Sequence, residues 1–324
     1  MTPIIRIKPS DINFHAIENA TILESAIRAG VILEHSCKNG SCGLCESKLI
    51  EGKVINEQGN VFSAGQNFLT CQCKSACAEL IIEAEYYPEL ACLSRKTVPC
   101  KVTLAEIDNE FLILKFRLPP AAGFDYLPGQ YINLSYQGIT RSYSIANANS
   151  KDGIELHIRL VPDGAMSKLL CAGVKLDSLM RIDGPIGTFF IREDNRPIIF
   201  LAGGTGFAPV KSMVEALINS NSARKINIYW GMSKSQDFYS KLPSEWENKH
   251  ENITFIPVVS GSDSGWSGRT GLVHQAVLQD FGSLSDYCVY ACGSPQMIAA
   301  AKEDFVKVGL SEKQFFSDAF TVSK

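Results

Sequence analysis

The chain has 324 residues, 45% of them hydrophobic and 20% charged, with a formal net charge of −3. That length exceeds one ordinary core and points to two or three globular domains. The near-neutral balance excludes a general basic field for nucleic acid, and no apolar run approaches the roughly 18 residues that a membrane span needs.

The opening stretch MTPIIRIKPSDINF lacks the apolar segment of a signal peptide and reads as a short alternating strand around Ile5-Arg6-Ile7. The expected setting is therefore the cytoplasm, where thiols stay reduced. There, eleven cysteines are poor grounds for disulfides, and a tight group of them reads as metal-binding. The scattered Cys92, Cys100, Cys171 and Cys288 read as small buried residues. Residues 1–90 carry the cysteine group and short strands such as LIIEAEYY, and the pattern breaks in a linker between Pro88 and Pro99. Residues 98–195 hold successive short β segments (CKVTLAEI, FLILKFRL, PGQYINLSY, RSYSIA, IELHIRLV, GTFFIR), the density of a small antiparallel barrel. Residues 196–324 alternate strand and helix. RPIIFLAGG leads into APVKSMVEALINS, whose Val210, Met213, Val214, Leu217 and Ile218 share one helical face. KINIYWG, ITFIPVVS, DYCVYACG and QFFSDAF supply further strands, and GLVHQAVLQDF and SPQMIAAAKEDFVKVG further helices. The expected fold is multidomain: an α+β front segment, an antiparallel β-barrel, and a parallel α/β domain.

In HSCKNGSCGLC, Cys37, Cys42 and Cys45 are spaced C-x4-C-x2-C, the spacing of plant-type [2Fe–2S] ferredoxins, which take a fourth, distant cysteine. Thiolates are soft anionic donors suited to such a cluster, and Gly40 and Gly43 let the backbone wrap closely. A zinc knuckle is the rival, but zinc sites usually present two cysteine pairs rather than three ligands and one. FLTCQCKSAC offers Cys71, Cys73 and Cys77 as the fourth ligand. The apolar-apolar-Thr-Cys lead-in resembles ferredoxin-like domains of the β-grasp fold, and that likeness implies Cys71.

In TRSYSIAN, the run Arg141-Ser142-Tyr143-Ser144 resembles the flavin motif of the ferredoxin–NADP reductase superfamily. The likeness implies an arginine forked onto phosphate, a tyrosine ring on the isoalloxazine and a serine hydroxyl near flavin N5. LPGQYINL upstream, Pro128 to Tyr131, matches the same superfamily. So does HIRLVPDGAMSKLL downstream, where Gly164, Met166 and Ser167 open a short helix suited to a pyrophosphate. That second segment favours FAD over FMN. His157 lies on the barrel strand beside it and is counted among the cofactor contacts.

FLAGGTGFAPV, with Gly203, Gly204, Thr205 and Gly206, departs from the Rossmann G-x-G-x-x-G pattern and resembles the Gly-Gly-Thr-Gly turn of that superfamily. YACGSPQM places Cys292 and Gly293 at a strand end, with Ser294 inserted before Pro295 relative to the family's Cys-Gly-Pro pattern. The likeness implies that Cys292 shapes the nicotinamide approach without covalent bonding, and that Phe320, ending FFSDAF, joins the cofactor contacts. YWGMSKSQDFY has one base, Lys234, and an acid, Asp237, suited to a free ribose hydroxyl. NADH is thus expected, with NADPH as the alternative.

The order of segments covers the whole chain and resembles the single-chain iron–sulfur flavoprotein reductases. The stretches LEHSCKNGSCGLCES, RSYSIANA, FLAGGTGFAPVKSMVEALI, IPVVSGSDS and FFSDAF are most similar to the CDP-6-deoxy-3,4-glucoseen reductases. The resemblance implies electron flow from NADH through FAD and a 2Fe–2S cluster to a partner. That partner would be an iron–sulfur dehydrase carrying pyridoxamine phosphate, in C-3 deoxygenation of a CDP-hexose. An oxygenase component is the alternative partner, and a non-catalytic binding protein the third reading. The catalytic candidates are Tyr143, Ser144 and Cys292.

Overall fold

The structure is a computed structural model that describes residues 2–35, 38–40, 43–148 and 153–320. The chain divides into two compact units, Met1–Ser94 and Arg95–Lys324.

The first unit contains β1 (Ile4–Lys8), β2 (Asn13–His15), α1 (Ile22–Arg28), β3 (Glu46–Glu51), β4 (Lys53–Asn56), β5 (Val61–Ser63), β6 (Asn67–Leu69), β7 (Cys73–Ser75), β8 (Glu79–Glu83) and α2 (Pro88–Ala91). Its main sheet runs β2-β1-β8-β3-β6, with β1 and β8 parallel, and β5-β4-β7 forms a smaller sheet. Alternation in β1 buries Ile5 and Ile7, which pack with Leu23, Ala26, Leu49 and Ile82. Thr21 starts α1 with a capping box: its hydroxyl accepts from the Glu24 N–H, and the Glu24 carboxylate accepts from the Thr21 N–H. The Leu23 N–H donates to the Thr70 carbonyl at 3.0 Å. This anchors α1 to the residue just before Cys71.

The second unit opens with β9 (Lys96–Asp108), β10 (Phe111–Arg117), β11 (Tyr131–Tyr136), β12 (Ile139–Ser144), β13 (Ile154–Arg159), α3 (Ala165–Cys171) and β14 (Leu179–Ile186). These strands form one antiparallel sheet, β12-β11-β14-β9-β10-β13. An Ile145–Leu156 bridge joins its two edges, so the sheet curls into a barrel around Val102, Leu114, Phe116, Leu134 and Leu156. Pro99, expected to end a linker, instead lies inside β9. It pairs with Arg181 of β14, while the pairing of β9 with β10 starts only at Lys101. A missing N–H is harmless where one side of the strand has no ladder.

The α/β part comprises β15 (Ile198–Gly203), α4 (Phe207–Asn219), β16 (Ile226–Met232), α5 (Leu242–Lys249), β17 (Ile253–Val259), β18 (Arg269–Thr270), α6 (Val273–Asp280), β19 (Cys288–Gly293), α7 (Pro295–Lys307) and β20 (Phe315–Ala319). All six strands are parallel, in the order β18-β17-β16-β15-β19-β20. Ile198 and Phe200 face a core with Val210 and Met213, whereas Ile199 and Leu201 face one with Val277 and Phe305. A strand covered on both faces explains the uninterrupted apolar run of β15. Cys100 and Cys288 are buried as expected, but Cys92 and Cys171 are exposed at helix ends. No helix among the described residues is long and apolar enough to cross a membrane.

Candidate functional site

Two of the four expected cluster ligands, Cys37 and Cys42, lie outside the described residues. The other two meet: the Cys45 and Cys71 sulfurs are 3.1 Å apart, a thiol contact well beyond a disulfide bond. The Cys71 thiol is lowered to about 6, first by the Cys45 bond, then by donation from the Gln72 side chain and the Gly40 backbone, against its burial. N–H groups aimed at a sulfur that favours the thiolate form fit an anionic iron–sulfur group. Cys73 is buried in the unit's core, where burial pushes its thiol up to about 11. Cys77 is tied elsewhere, accepting from the Lys53 N–H at 3.2 Å and donating to the Glu79 carbonyl at 2.8 Å. His35 is buried with Nδ1 2.7 Å from the Leu33 carbonyl, and burial lowers it to about 4.

On β12, Arg141 and Tyr143 share one face by the two-residue period, and Ser144 lies buried on the other. Burial raises the Tyr143 phenol to about 12, so the ring stays neutral. The preceding loop is latched by Gln130, which accepts from the Leu127 N–H and donates to the Gly187 carbonyl, each at 2.9 Å. Helix α3 packs against β12, so the two flavin segments are neighbours. Gly164 caps α3, and the Ser167 hydroxyl accepts from the Val161 N–H at 2.9 Å. The Met166 side chain lies in the barrel core and can offer a ligand only its backbone. This adjacency of Arg141, Tyr143 and the Gly164 turn fits an FAD running from strand to helix.

Strand β15 neighbours β16 on one side and β19 on the other, so the two nicotinamide motifs flank the sheet's switch point, where open α/β sheets bind ligands. Their backbones touch. A Cβ on Gly206 would stand 2.1 Å from the Cys292 carbonyl oxygen, and one on Gly203 2.7 Å from the Met297 sulfur. Gly204, at φ +57°, has open space where a side chain would go, a cradle suited to a pyrophosphate. Its carbonyl accepts from the Trp230 indole at 2.9 Å. Thr205 sits in the same single turn. Cys292 is 0% exposed, and burial followed by the nearby Asp318 charge raises its thiol well above the ordinary range. A thiol held neutral in this way suits shaping rather than attack. The Phe320 N–H donates to the Gly293 carbonyl at 2.8 Å, which pins the chain end to the same corner.

Two expected contacts are spent on protein partners. Asp237 accepts the Lys234 N–H at 3.1 Å and closes its own turn. Asp263, which the sequence reading missed, reaches that turn from beyond β17 and accepts from the Ser235 N–H and hydroxyl at 2.8 and 2.6 Å. His157 lies 2.8 Å from Glu155 through Nε2 and 3.1 Å from the Tyr239 hydroxyl through Nδ1. Both ring nitrogens thus have protein partners, in the seam between barrel and α/β part. Also unforeseen is Lys211, 4% exposed in that seam. Its only sequence signal is a charge inside the otherwise apolar run FAPVKSMV.

Fold and site together define a flavin- and nicotinamide-dependent iron–sulfur oxidoreductase on a single chain. The 2Fe-2S iron-sulfur cluster binding domain family matches residues 5–76, the oxidoreductase FAD-binding domain family residues 100–191, and the oxidoreductase NAD-binding domain family residues 200–303. The chain is 56% identical to protein RfbI of Salmonella typhimurium, covering 100% of this chain and 98% of that one. It is 51% identical to the CDP-6-deoxy-L-threo-D-glycero-4-hexulose-3-dehydrase reductase of Yersinia pestis, over 99% of both. Reductase component 2 of terephthalate 1,2-dioxygenase from Comamonas is 33% identical, over 98% of this chain and 96% of its own. Among solved structures, the Amycolatopsis cytochrome P450 reductase GcoB has the same fold, with a TM-score of 0.78 at 23% identity and 100% coverage of both chains. The chain belongs to the family of single-chain iron–sulfur flavoprotein reductases that includes the CDP-6-deoxy-L-threo-D-glycero-4-hexulose-3-dehydrase reductases.

Proposed function

We propose that this chain takes hydride from NADH and delivers single electrons to an iron–sulfur dehydrase carrying pyridoxamine phosphate. The reaction served is the C-3 deoxygenation of a CDP-hexose in cytoplasmic 3,6-dideoxyhexose synthesis for O-antigen. The full-length likeness to the Yersinia pestis reductase is the observation that carries this partner. FAD, when bound, supplies the change from paired to single electrons.

The protein's own groups do the placing. Arg141 would hold the flavin phosphate and the Tyr143 ring would offer a stacking surface for the isoalloxazine, with Ser144, buried on the other face of β12, the candidate hydroxyl for N5. The backbone from Gly164 to Ser167 receives the pyrophosphate. Gly203, Gly204, Thr205 and Gly206 let the nicotinamide dinucleotide approach the backbone, and Cys292 with Gly293 bounds its ring. Cys37, Cys42, Cys45 and Cys71 hold the cluster. The turn after β16 carries one base, Lys234, beside the acids Asp237 and Asp263, whose carboxylates accept from the Lys234 N–H and from Ser235, and this acid-rich turn supports NADH over a 2′-phosphorylated dinucleotide.

Removing the Tyr143 ring deletes a stacking surface worth about 1 kcal/mol, so Tyr143→Ala should raise the FAD dissociation constant roughly five-fold. Fluorescence titration of apoprotein with FAD reads this directly, and an unchanged constant sinks the role given to Tyr143.

The reading as a whole is tested by anaerobic titration with NADH, followed by reconstitution with the cognate dehydrase. A reduced-cluster EPR signal and NADH-driven loss of the C-3 hydroxyl are expected. EPR silence in fully loaded protein removes the internal relay. The likeness to the Comamonas component supports the oxygenase alternative, for which NADH-coupled oxygen consumption with a terminal oxygenase would replace sugar deoxygenation.

A further inference from the structure

Two buried charges of the second unit, Lys211 and Glu155, meet in the seam between barrel and α/β part. Just past the flavin strand β12, the three successive residues 146–148 meet side chains from α4. The Lys211 ammonium donates to the Ala146 carbonyl at 3.1 Å. The Ser212 hydroxyl donates to the Asn147 carbonyl at 2.6 Å. The Ala148 N–H donates to the Glu215 carboxylate at 3.1 Å. Lys211 is also 2.7 Å from Glu215 and 3.2 Å from Glu155. Behind it, Glu155 takes His157 Nε2 at 2.8 Å and Lys115 at 3.1 Å.

The protonation states close the network. Burial works against the Glu155 charge, but His157 and Lys211 hold the carboxyl down at about 2. Burial lowers His157, so its ring is neutral, with Nε2–H donating to Glu155 and Nδ1 accepting from the Tyr239 hydroxyl, which burial keeps protonated. A buried ammonium is tolerable only with its partners in reach, so this seam accepts one register and penalises others, which an apolar seam would not do.

Position gives that register a use. Ala146 follows Ser144 by two residues, about 7 Å of extended chain, and Lys211 follows Gly206 by five, about 7.5 Å along a helix. The seam therefore bolts together the two motifs whose ligands must exchange hydride. Misplacement of reacting groups by about 1 Å can cost on the order of 100-fold in rate.

We propose that Lys211, with Ser212 and Glu215, is a positioning clamp that sets the register of the flavin strand against the nicotinamide helix, and through it the distance of hydride transfer. The inference rests on the hydride-transfer reading above and adds the residues that fix its geometry.

The test compares Lys211→Met with the double variant Lys211→Met/Glu155→Gln, which leaves no unpaired buried carboxylate. Flavin reduction at saturating NADH is followed by stopped flow, alongside FAD content, melting temperature and the long-wavelength charge-transfer band formed with tetrahydro-NADH, a non-reducing analogue. The double variant should hold its FAD and melt near wild type, yet reduce its flavin about 10-fold more slowly with little change in KM, and its charge-transfer band should weaken. If the single variant fails to fold, the double variant carries the comparison. If neither folds, Ser212→Ala does, with a loss of about three-fold expected for one removed bond. Wild-type reduction rate, or an undiminished band, in a folded variant overturns the clamp and leaves only a structural role. Failure of wild-type protein itself to be reduced by NADH would strike the earlier reading instead.

Discussion

Cys71→Ser protein is expected to lose the visible absorption and the EPR signal of the iron–sulfur cluster entirely, while Cys73→Ser and Cys77→Ser keep both. The reason is where each sulfur points. Cys71 stands 3.1 Å from the sulfur of Cys45, a member of the close-spaced trio 26 residues earlier. Cys73 turns into the core beside Leu80 and Val54, and Cys77 is engaged with Lys53 and Glu79 across β4 and β8. A serine hydroxyl at position 71 keeps the size but not the soft anionic donor that the iron requires. The Cys73→Ser protein should instead lose stability, by roughly 1–3 kcal/mol for placing a hydroxyl in the apolar core, with its spectrum intact. A fully coloured Cys71→Ser protein would overturn the ligand assignment.

Gly206→Ala should slow reduction of the flavin by NADH to about 1% of the wild-type rate while leaving the iron–sulfur spectrum unchanged. The added methyl would lie 2.1 Å from the Cys292 oxygen and 2.7 Å from its carbonyl carbon. Both are backbone atoms of a fully buried strand, so no side chain can swing aside. Relief requires the start of α4 to move off β19, which opens the corner formed by the glycine turn and Cys292-Gly293. Overpacking of this kind costs up to about 3 kcal/mol, equivalent to a factor of about 100 at 1.4 kcal/mol per tenfold. Stopped-flow mixing of flavin-loaded variant with NADH measures it. A wild-type rate would mean that the corner is not where nicotinamide docks.

Much of this fold is legible because its signals are local. The cysteine spacing, the Arg-Ser-Tyr-Ser strand and the Gly-Gly-Thr-Gly turn each lie within a dozen residues, and β15 announces itself by an apolar run covered on both faces. What the sequence leaves unread has a different origin. Lys211 goes unnoticed because nothing near it in sequence shows that Glu155, from another part of the unit, will close over it. Asp237 reads as a ribose partner from residue type, whereas its bond to the Lys234 N–H in the turn after β16 comes from the fold. His157 and Met166 sit in motifs that belong to a cofactor site while their side chains serve packing. Pro99 reads as a breaker, since the one-sided pairing that tolerates it is a property of the sheet. Residue type and period record what a segment prefers. They do not record which distant element arrives to bury it.

The division of the chain after Ser94 separates two kinds of loading. All four candidate iron ligands fall before it, and the FAD and NAD modules fall wholly after it. Cluster insertion and flavin uptake should therefore be separable in one polypeptide. Protein made under iron starvation would come off a column yellow instead of red-brown, still able to oxidise its pyridine nucleotide but with no outlet for the electrons it gains.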